Sequence, residues 1–365
     1  MFERIGVVVR RANKERRRGL LRDKQRLRPF VASATLMIAS LIVVACAGGG
    51  GTTSSVTPTP TPAPTPTPRI TEYTVPSANS GPFRIITGSD GALWFTEFND
   101  NKIGRVTTAG AFTEYVTPTA SSAPAGITTG PDGALWFTEY NGNKIGRVTT
   151  SGAFTEYTIP TASSGPDGIT TGPDGALWFT EGGTGANKIG RVTTSGAFTE
   201  YTIPTASSGA DEITTGPDGA LWFTEFNGNK IGRVTPSGAF TEYAIPTASS
   251  STEGITLGPD GALWFAEGAI AANKIGRVTT SGAFTEYTIP TANSLTRDIT
   301  TGRDGALWFT EFFGGNIGRV TTSGAFTEYT IPTASSQPRN LTTGPDGALW
   351  FTEFNGNKIG RIAPS

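Results

Sequence analysis

The sequence contains no histidine and only one cysteine, Cys46. The lack of histidine excludes Ser-His-Asp and Cys-His nucleophilic catalysis, histidine zinc sites and any acid–base step that uses imidazole. A single cysteine allows neither a disulfide framework nor a cysteine-rich zinc site within one chain. These two absences remove many of the common routes to enzyme catalysis.

Charged residues are also few, at 16% of the 365 residues, and they are unevenly distributed. Residues 1–29 hold eleven of the 29 Lys and Arg but only three of the 30 Asp and Glu, and residues 30–68 hold no charge. The rest of the chain, 69–365, therefore has 18 basic and 27 acidic residues and a net charge of −9. An acidic body of this kind repels phosphate backbones, so nucleic-acid binding is not expected.

One uncharged run of sixteen residues, 30–45, directly precedes Cys46. It is shorter than the roughly 20 apolar residues that a spanning helix needs, and with its basic flank it is typical of a signal peptide. The sequence V-V-A-C at 43–46 resembles a bacterial lipobox. The resemblance implies cleavage before Cys46 and a lipid on its thiol, so that 1–45 is a lipoprotein-type signal segment. An uncleaved N-terminal anchor is the alternative.

Residues 46–68 are rich in Gly, Thr and Pro and predict a stalk. Gly/Ser stretches are flexible, and alternating Thr-Pro favours an extended polyproline II conformation. We therefore predict an exported protein that is anchored in the membrane by its lipid, with a folded body at the cell surface.

Seven tryptophans recur every 42 or 44 residues, each within a copy of G-P-D-G-A-L-W-F-T-E or a near variant. A copy of I-G-R follows each of them. One unit, 126–160, divides at its Pro-Asp-Gly, Asn-Gly-Asn and Ser-Gly turns into four short β-rich segments. Four strands and a period near 42 are typical of a β-propeller blade. The seven are Trp94, Trp136, Trp178, Trp222, Trp264, Trp308 and Trp350.

The two ends of the repeat region complement each other. The last unit stops after Ile359-Gly360-Arg361 and lacks its fourth strand, whereas 70–76 supplies that strand before the first unit. Borrowing it closes the ring and covers an exposed sheet edge. We predict an all-β fold, a seven-bladed β-propeller over 69–365, with an N-terminal strand completing the last blade.

Four residue types recur once in every blade, and each has a structural interpretation. We predict that the tryptophans pack between neighbouring blades and that the turn aspartates shape their hairpins. The glutamates of W-F-T-E and the arginines of I-G-R are predicted to pair across strands, although a metal or catalytic role for one glutamate stays open. The glutamates, called the Glu ring below, are Glu97, Glu139, Glu181, Glu225, Glu267, Glu311 and Glu353.

Sequence differences between blades cluster in two loops, the one between the second and third strands and the connection between blades. In an up-and-down blade these loops open on the same face, and binding residues usually lie on such loops over a rigid scaffold. We therefore predict that this variable face binds a small molecule or a peptide, and we expect a monomer.

The repeats resemble the virginiamycin B lyase family of seven-bladed propellers, through GPDGALWFTE, NKIGRVT, FTEYTIP and the SSGPDGI that leads into the inner strands. The resemblance covers about 69–365. It implies β-elimination at the ester of a cyclic depsipeptide antibiotic, assisted by magnesium and dependent on histidines before the inner strands of the sixth and seventh blades.

The residues that the family uses for this chemistry are mostly replaced. Arg297 and Arg339 stand at the two histidine positions, and Gln337 stands at an acidic position two residues before the second. Glu353 is retained, and a first-blade tyrosine position holds Phe83. Arginine cannot serve as a general base in a protein, so catalytic residues are not expected at these positions.

The residues that start the inner strands are predicted to face the axis of the ring. They offer acids in blades 3 to 5 and arginines in blades 6, 7 and 1, which predicts a polarised pocket for a ligand with a cationic and an anionic end. The alternative is that these charges pair across the mouth or stay solvated. The predicted ligand-binding residues are Phe83, Arg84, Asp167, Asp211, Glu212, Glu253, Arg297 and Arg339, with Asp298 beside them.

Three functions therefore remain. The favoured one is a tethered ligand-binding propeller that needs no cofactor and no metal. The second is a carbon–oxygen lyase in which Glu353 or another carboxylate replaces histidine as the base, with magnesium as its cofactor. The third is a surface scaffold that binds another protein.

Overall fold

The computed structural model describes residues 69–183 and 185–363. The predicted signal segment 1–45, the lipidation of Cys46 and the stalk 46–68 lie outside the described residues and stay predictions. No helix in the described part of the chain is long and apolar enough to cross a membrane.

The described residues form twenty-eight strands in seven antiparallel four-stranded sheets. Blades 1 to 3 comprise β2 (Pro82–Thr87), β3 (Leu93–Glu97), β4 (Lys102–Val106), β5 (Phe112–Val116), β6 (Pro124–Thr129), β7 (Leu135–Glu139), β8 (Lys144–Val148), β9 (Phe154–Thr158), β10 (Pro166–Thr171), β11 (Leu177–Glu181), β12 (Lys188–Val192) and β13 (Phe198–Thr202). Blades 4 to 6 comprise β14 (Ala210–Thr215), β15 (Leu221–Glu225), β16 (Lys230–Val234), β17 (Phe240–Ala244), β18 (Thr252–Leu257), β19 (Leu263–Glu267), β20 (Lys274–Val278), β21 (Phe284–Thr288), β22 (Thr296–Thr301), β23 (Leu307–Glu311), β24 (Asn316–Val320) and β25 (Phe326–Thr330). Blade 7 comprises β26 (Pro338–Thr343), β27 (Leu349–Glu353), β28 (Lys358–Ile362) and the N-terminal β1 (Ile70–Thr74).

The N-terminal strand closes the ring as predicted. β1 is antiparallel to β28, with Ile70 opposite Ile362 and Thr74 opposite Lys358. The sheet order of blade 7 is β1-β28-β27-β26, so the last blade is built from both ends of the described chain. The predicted seven-bladed fold is thereby confirmed.

The core lies between blades rather than within them, which confirms the role predicted for the tryptophans. Trp178 of blade 3 is fully buried and shares a cluster with Ile213 and Phe223 of blade 4. Its ring also stacks on Tyr201, with the ring centroids 5.6 Å apart and the planes 7° from parallel. Burial of a large aromatic side chain contributes about 3 kcal/mol or more, so each junction is a major source of stability.

The Pro-Asp-Gly turn is held by its aspartate. In blade 2, Oδ1 of Asp132 accepts hydrogen bonds from the indole N–H of Trp136 and the backbone N–H of Ala134, at 3.0 and 3.3 Å. Gly133 has a φ of +75°, which an L side chain rarely adopts. The aspartate therefore shapes the hairpin, as predicted, and also anchors the buried tryptophan.

The predicted pairing of the Glu ring with the I-G-R arginines is wrong. Nε of Arg147 instead donates to Oδ2 of Asp132 at 2.6 Å. In the register, Trp136 lies opposite Arg147, whereas Glu139 lies opposite Lys144. Because Trp136 and Glu139 are three residues apart on one strand, they face opposite sides of the sheet and cannot share a cross-strand partner.

Candidate functional site

Each inner strand begins with a β-bulge that turns its first residues toward the axis. In blade 1, pairing with β3 shifts register between Pro82 and Ile85, which leaves Phe83 and Arg84 out of the ladder. The same shift occurs in the other six blades. A bulge changes the direction of the side chains that it leaves out of the ladder. We call the two such residues of each inner strand, seven pairs in all, the mouth; they are 83–84, 125–126, 167–168, 211–212, 253–254, 297–298 and 339–340.

In six of the seven blades a threonine on the second strand holds the bulge and donates a hydrogen bond to the next blade. Oγ1 of Thr224 accepts from the backbone N–H of Glu212 at 3.1 Å and donates to the carbonyl of Glu253 at 2.7 Å. Blade 5 carries Ala266 at this position and lacks the hydroxyl. No threonine hydroxyl of blade 5 can therefore donate to the carbonyl of Arg297 in blade 6. A side-chain ion pair connects the two inner strands at this junction.

Arg297 and Glu253 form that link as an ion pair between Nη1 and Oε1. The guanidinium carbon of Arg297 also lies 4.9 Å from the ring centroid of Phe312. Glu253 is nearly fully buried, and burial raises the pKa of its carboxyl above the ordinary value although Arg297 and Arg339 act in the opposite direction.

Arg84 reaches from blade 1 across the mouth to blades 3 and 4. Its Nη1 pairs with Oε2 of Glu212, and its Nη2 lies 3.5 Å from Oδ1 of Asp167. Two of the acids predicted to attract a cationic ligand are thus engaged by the chain's own arginine. The contacts of Arg84 therefore fit the alternative given in the sequence analysis, in which the charges pair with each other across the mouth.

Arg339 differs from the other two arginines of the mouth. Its guanidinium carbon lies 3.7 Å from the ring centroid of Phe83, and the salt bridges found among the described residues include none to Arg339. Burial lowers the pKa of Arg339 to about 10, although Glu253 opposes this shift. The guanidinium stays charged at neutral pH but has no direct anionic partner in the described part of the chain.

Asp211 is another acid of the mouth, in blade 4. Burial raises the pKa of its carboxyl to about 8, and the neighbouring charges of Asp167 and Glu253 add to this shift. Burial and nearby negative charge both favour the protonated form of this carboxyl over the ionised one. A cation that entered the mouth would favour the loss of that proton.

Asp298 joins three blades through a hydrogen-bonded chain. Its Oδ2 accepts from Nδ2 of Asn340 at 2.6 Å and from the backbone N–H of Leu341 at 3.1 Å. Oδ1 of Asn340 in turn accepts from the backbone N–H of Ile85 at 2.7 Å. Sequence analysis missed Asn340, although it departs from the glycine that blades 2, 3 and 5 keep at this position.

Gln337 and Glu353, which stand at the two acidic positions of the family resemblance, do not fit a metal ion here. Gln337 brings an amide, and its backbone carbonyl accepts from the N–H of Phe354 at 3.1 Å. Glu353 is fully buried beneath the loop that contains Gly356, where a Cβ would lie 2.8 Å from Oε2. Among residues 69–183 and 185–363, no group of three acidic or thiol side chains is arranged to hold a metal.

The variable loops surround the mouth, as predicted. The loop after β3 is bonded to the connection before β2, since the N–H of Phe98 donates to the carbonyl of Gly81 at 3.2 Å. Four of the five exposed large apolar side chains lie on these loops in four different blades, while the opposite turns carry none in the described ranges. They are Tyr140, Phe226, Ile270 and Phe313, at 42%, 39%, 50% and 56% exposure.

Comparison with known proteins agrees with this architecture. The sequence profile described as the Virginiamycin B lyase family matches residues 63–208 and 166–365. A virginiamycin B lyase from Bacillus licheniformis is 48% identical over 42 residues, a stretch that spans 12% of this chain and 14% of that protein. The comparison with that relative is therefore limited to about one blade.

Two solved structures of virginiamycin B lyase from Staphylococcus aureus cover far more of the chain. One is the selenomethionine-substituted enzyme, and the other is a catalytically inactive histidine-to-alanine variant with Quinupristin. Each superposes with a TM-score of 0.77 at 42% identity and covers 82% of this chain and 100% of the relative. On the extent of these matches and the seven-bladed closure, the chain belongs to the Virginiamycin B lyase family.

Proposed function

We propose that this propeller is an exported, lipid-tethered module that binds a ligand at its mouth and does not catalyse an efficient lyase reaction. The observation that carries the proposal is Arg339, which occupies the position of a family histidine and lies against Phe83. A guanidinium remains protonated in proteins and cannot remove a proton from a substrate.

The relatives support this interpretation. The Staphylococcus aureus variant that is described as catalytically inactive differs from its enzyme by replacement of one histidine with alanine. The present chain has no histidine at any position. Loss of a positioned base commonly lowers a rate by about 10² to 10⁴-fold, so a residual lyase would be slow.

A lyase that uses a carboxylate as its base is the second candidate. Burial raises the pKa of Glu353 to about 8, which is near the range that suits a general base. Both carboxylate oxygens are nevertheless buried. A substrate would have to displace the overlying loop to reach Glu353, which weakens this candidate.

A protein-binding scaffold is the third candidate, and the exposed apolar side chains of the variable loops favour it. Their separation on four blades gives no continuous apolar patch comparable to a protein interface. The charged and buried mouth is a more specific site than this rim.

The decisive experiment incubates the folded propeller with Quinupristin, with and without magnesium, and follows the products by mass spectrometry. We expect intact Quinupristin from the natural sequence under both conditions. A variant with Arg297→His and Arg339→His restores the family's residue type and serves as the matched comparison. Linearised Quinupristin from the unmodified chain at a rate near that of the S. aureus enzyme would overturn the proposal.

A further inference from the structure

The residue after each member of the Glu ring divides the variable face into two sectors. This residue is aromatic in five blades and glycine in the other two, blades 3 and 5. Blades 6, 7, 1 and 2 are consecutive in the ring and form one aromatic sector beside the arginines of the mouth, whereas the corresponding residues beside the acids are Gly182, Phe226 and Gly268. The seven residues are Phe98, Tyr140, Gly182, Phe226, Gly268, Phe312 and Phe354.

In the aromatic sector the side chains stack in a continuous row that starts at Arg339. The guanidinium lies over Phe83, and Phe83 stacks on Phe98 with the centroids 4.9 Å apart and the planes 21° from parallel. Tyr140 follows Phe98 at 6.4 Å, and Phe354 approaches the edge of Phe83 at 6.2 Å. We call Arg339, Phe83, Phe98 and Tyr140 the aromatic row.

The aromatic row is shielded from solvent at Phe83 and accessible to solvent at Tyr140. Phe83 is 6% exposed because Arg339 and other rings cover it, whereas Tyr140 is 42% exposed. Phe98 is half-buried between them. An incoming planar group can therefore contact Phe98 and Tyr140, where aromatic rings attract each other beyond the effect of burial alone.

The inner end of the row offers a cation without a bound anion. Arg84 is taken by Glu212 and Asp167, and Arg297 is taken by Glu253. Arg339 has no such partner in the described residues. A guanidinium presents a planar fork of N–H donors that matches a carboxylate, and an anion at a poorly solvated cation makes a strong, charge-assisted pair.

We propose that the aromatic row binds a small aromatic carboxylate, with the carboxylate on Arg339 and the ring against Phe98 and Tyr140. This inference rests on the proposed binding function and names the chemical class of the ligand. Three acids of the mouth are engaged within the chain, since Asp167 and Glu253 are paired with arginines and Asp298 accepts hydrogen bonds from Asn340 and Leu341.

The inference is tested with 4-phenylbutyrate, in which a short chain separates the ring from the carboxylate, by ligand-observed NMR and calorimetry on the folded propeller. Three related probes each lack one feature: butyrate has no ring, 4-phenylbutan-1-ol has no charge, and 4-phenylbutylamine has the opposite charge. We expect saturable binding of 4-phenylbutyrate and at least tenfold weaker binding of the other three.

Variants locate the site. Arg339→Gln and Tyr140→Leu should each weaken 4-phenylbutyrate at least fivefold, and the second change is at an exposed side chain that the fold does not need. Phe226→Leu is the matched control, since Phe226 holds the equivalent position in blade 4, away from Arg339, and should leave the affinity unchanged.

Three results would overturn the inference: equal binding of 4-phenylbutyrate and 4-phenylbutylamine, an equal loss in the Phe226→Leu control, or no saturable binding of 4-phenylbutyrate. If Quinupristin binds intact but 4-phenylbutyrate shows no saturable binding, this inference fails while the proposed function stands. Conversely, linearisation of Quinupristin would refute the proposed function without any change in the probe results.

Discussion

The Glu ring makes the stability of the propeller depend on pH, and Glu225→Gln in blade 4 tests this dependence. Glu225 is fully buried, and both of its carboxylate oxygens are removed from solvent. Burial raises the pKa of Glu225 to about 8, and the charge of Glu242 adds to the shift. In the unfolded chain the same group ionises near its ordinary value of about 4.3.

The sign of the effect follows from proton binding. Between about pH 4.5 and pH 8 the native state keeps the proton of Glu225 and the unfolded state has lost it. The free energy of unfolding therefore falls as pH rises through this window, by up to about 1.4 kcal/mol per pH unit for one group. Above pH 8 both states are ionised and this contribution no longer changes.

The magnitude is limited by the number of sites. A full shift at one site would amount to about 5 kcal/mol at pH 8, and seven such contributions would exceed the 5–15 kcal/mol net stability of ordinary proteins. The structure around each glutamate must therefore adjust when the glutamate ionises. We expect each ionisation to lower the free energy of unfolding by about 2 kcal/mol at pH 8. Glu225→Gln should leave stability nearly unchanged at pH 4.5 and raise it by about 2 kcal/mol at pH 8, relative to the unmodified chain.

Urea unfolding from pH 4.5 to pH 8 measures the difference in free energy of unfolding between Glu225→Gln and the unmodified chain. Only the change of this difference with pH tests the prediction, because the packing of the amide contributes equally at every pH. Asp218→Asn in the same blade is the control. Partial desolvation would raise the pKa of Asp218, but hydrogen bonds from Trp222 and Arg233 hold that pKa below its ordinary value, so the loss of this carboxylate should destabilise by the same amount across the window. A difference between Glu225→Gln and the unmodified chain that stays constant from pH 4.5 to pH 8 would refute a protonated ring.

Three further predictions concern closure, the blade junctions and the anchor. Deleting 69–76 removes β1 and leaves β28 as an open edge, so the melting temperature should fall and aggregation should increase. Deleting 47–68 is the control and should leave the melting temperature unchanged. Equal melting temperatures for the two deletions would contradict closure by the N-terminal strand. Ala266→Thr restores the hydroxyl that six blades carry, and its hydrogen bond to the carbonyl of Arg297 should raise the free energy of unfolding by about 1 kcal/mol in urea titrations. Cys46→Ser should move the protein out of the membrane fraction on cell fractionation, and retention there with the leader intact would favour the uncleaved anchor.

The fold was predictable because repetition multiplies a weak signal. One Pro-Asp-Gly turn or one alternating strand could occur in many folds, but seven copies at a nearly constant spacing leave few architectures. The incomplete last unit and the isolated strand at 70–76 then determine how the ring closes. Each of these features is local in sequence, so none requires knowledge of long-range packing.

The pairing of charges was predicted less well, for two different reasons. The error on the Glu ring came from ignoring strand alternation, since Trp136 and Glu139 are an odd number of residues apart and must face opposite sides. The contacts of Arg84 could not be obtained from sequence at all. Which acid an arginine reaches across a ring depends on blade tilt and on the size of the mouth, and neither is encoded in a local pattern.

The symmetry of the propeller separates residues that build the ring from residues that give it a function. Positions that repeat seven times have the same role in each blade: the tryptophans and the Glu ring are buried, and the turn aspartates accept the indole N–H of the tryptophans. The residues at the bulges and in the variable loops differ from blade to blade, and they all lie on one face of the ring. Ala266 illustrates how the two classes interact, because the loss of one repeated hydroxyl coincides with the ion pair of Arg297 and Glu253 at the same junction. At the next junction the threonine link is kept, since Thr310 donates to the carbonyl of Arg339, and the Arg339 side chain has no ion pair in the described residues, which is why the proposal places the anion there.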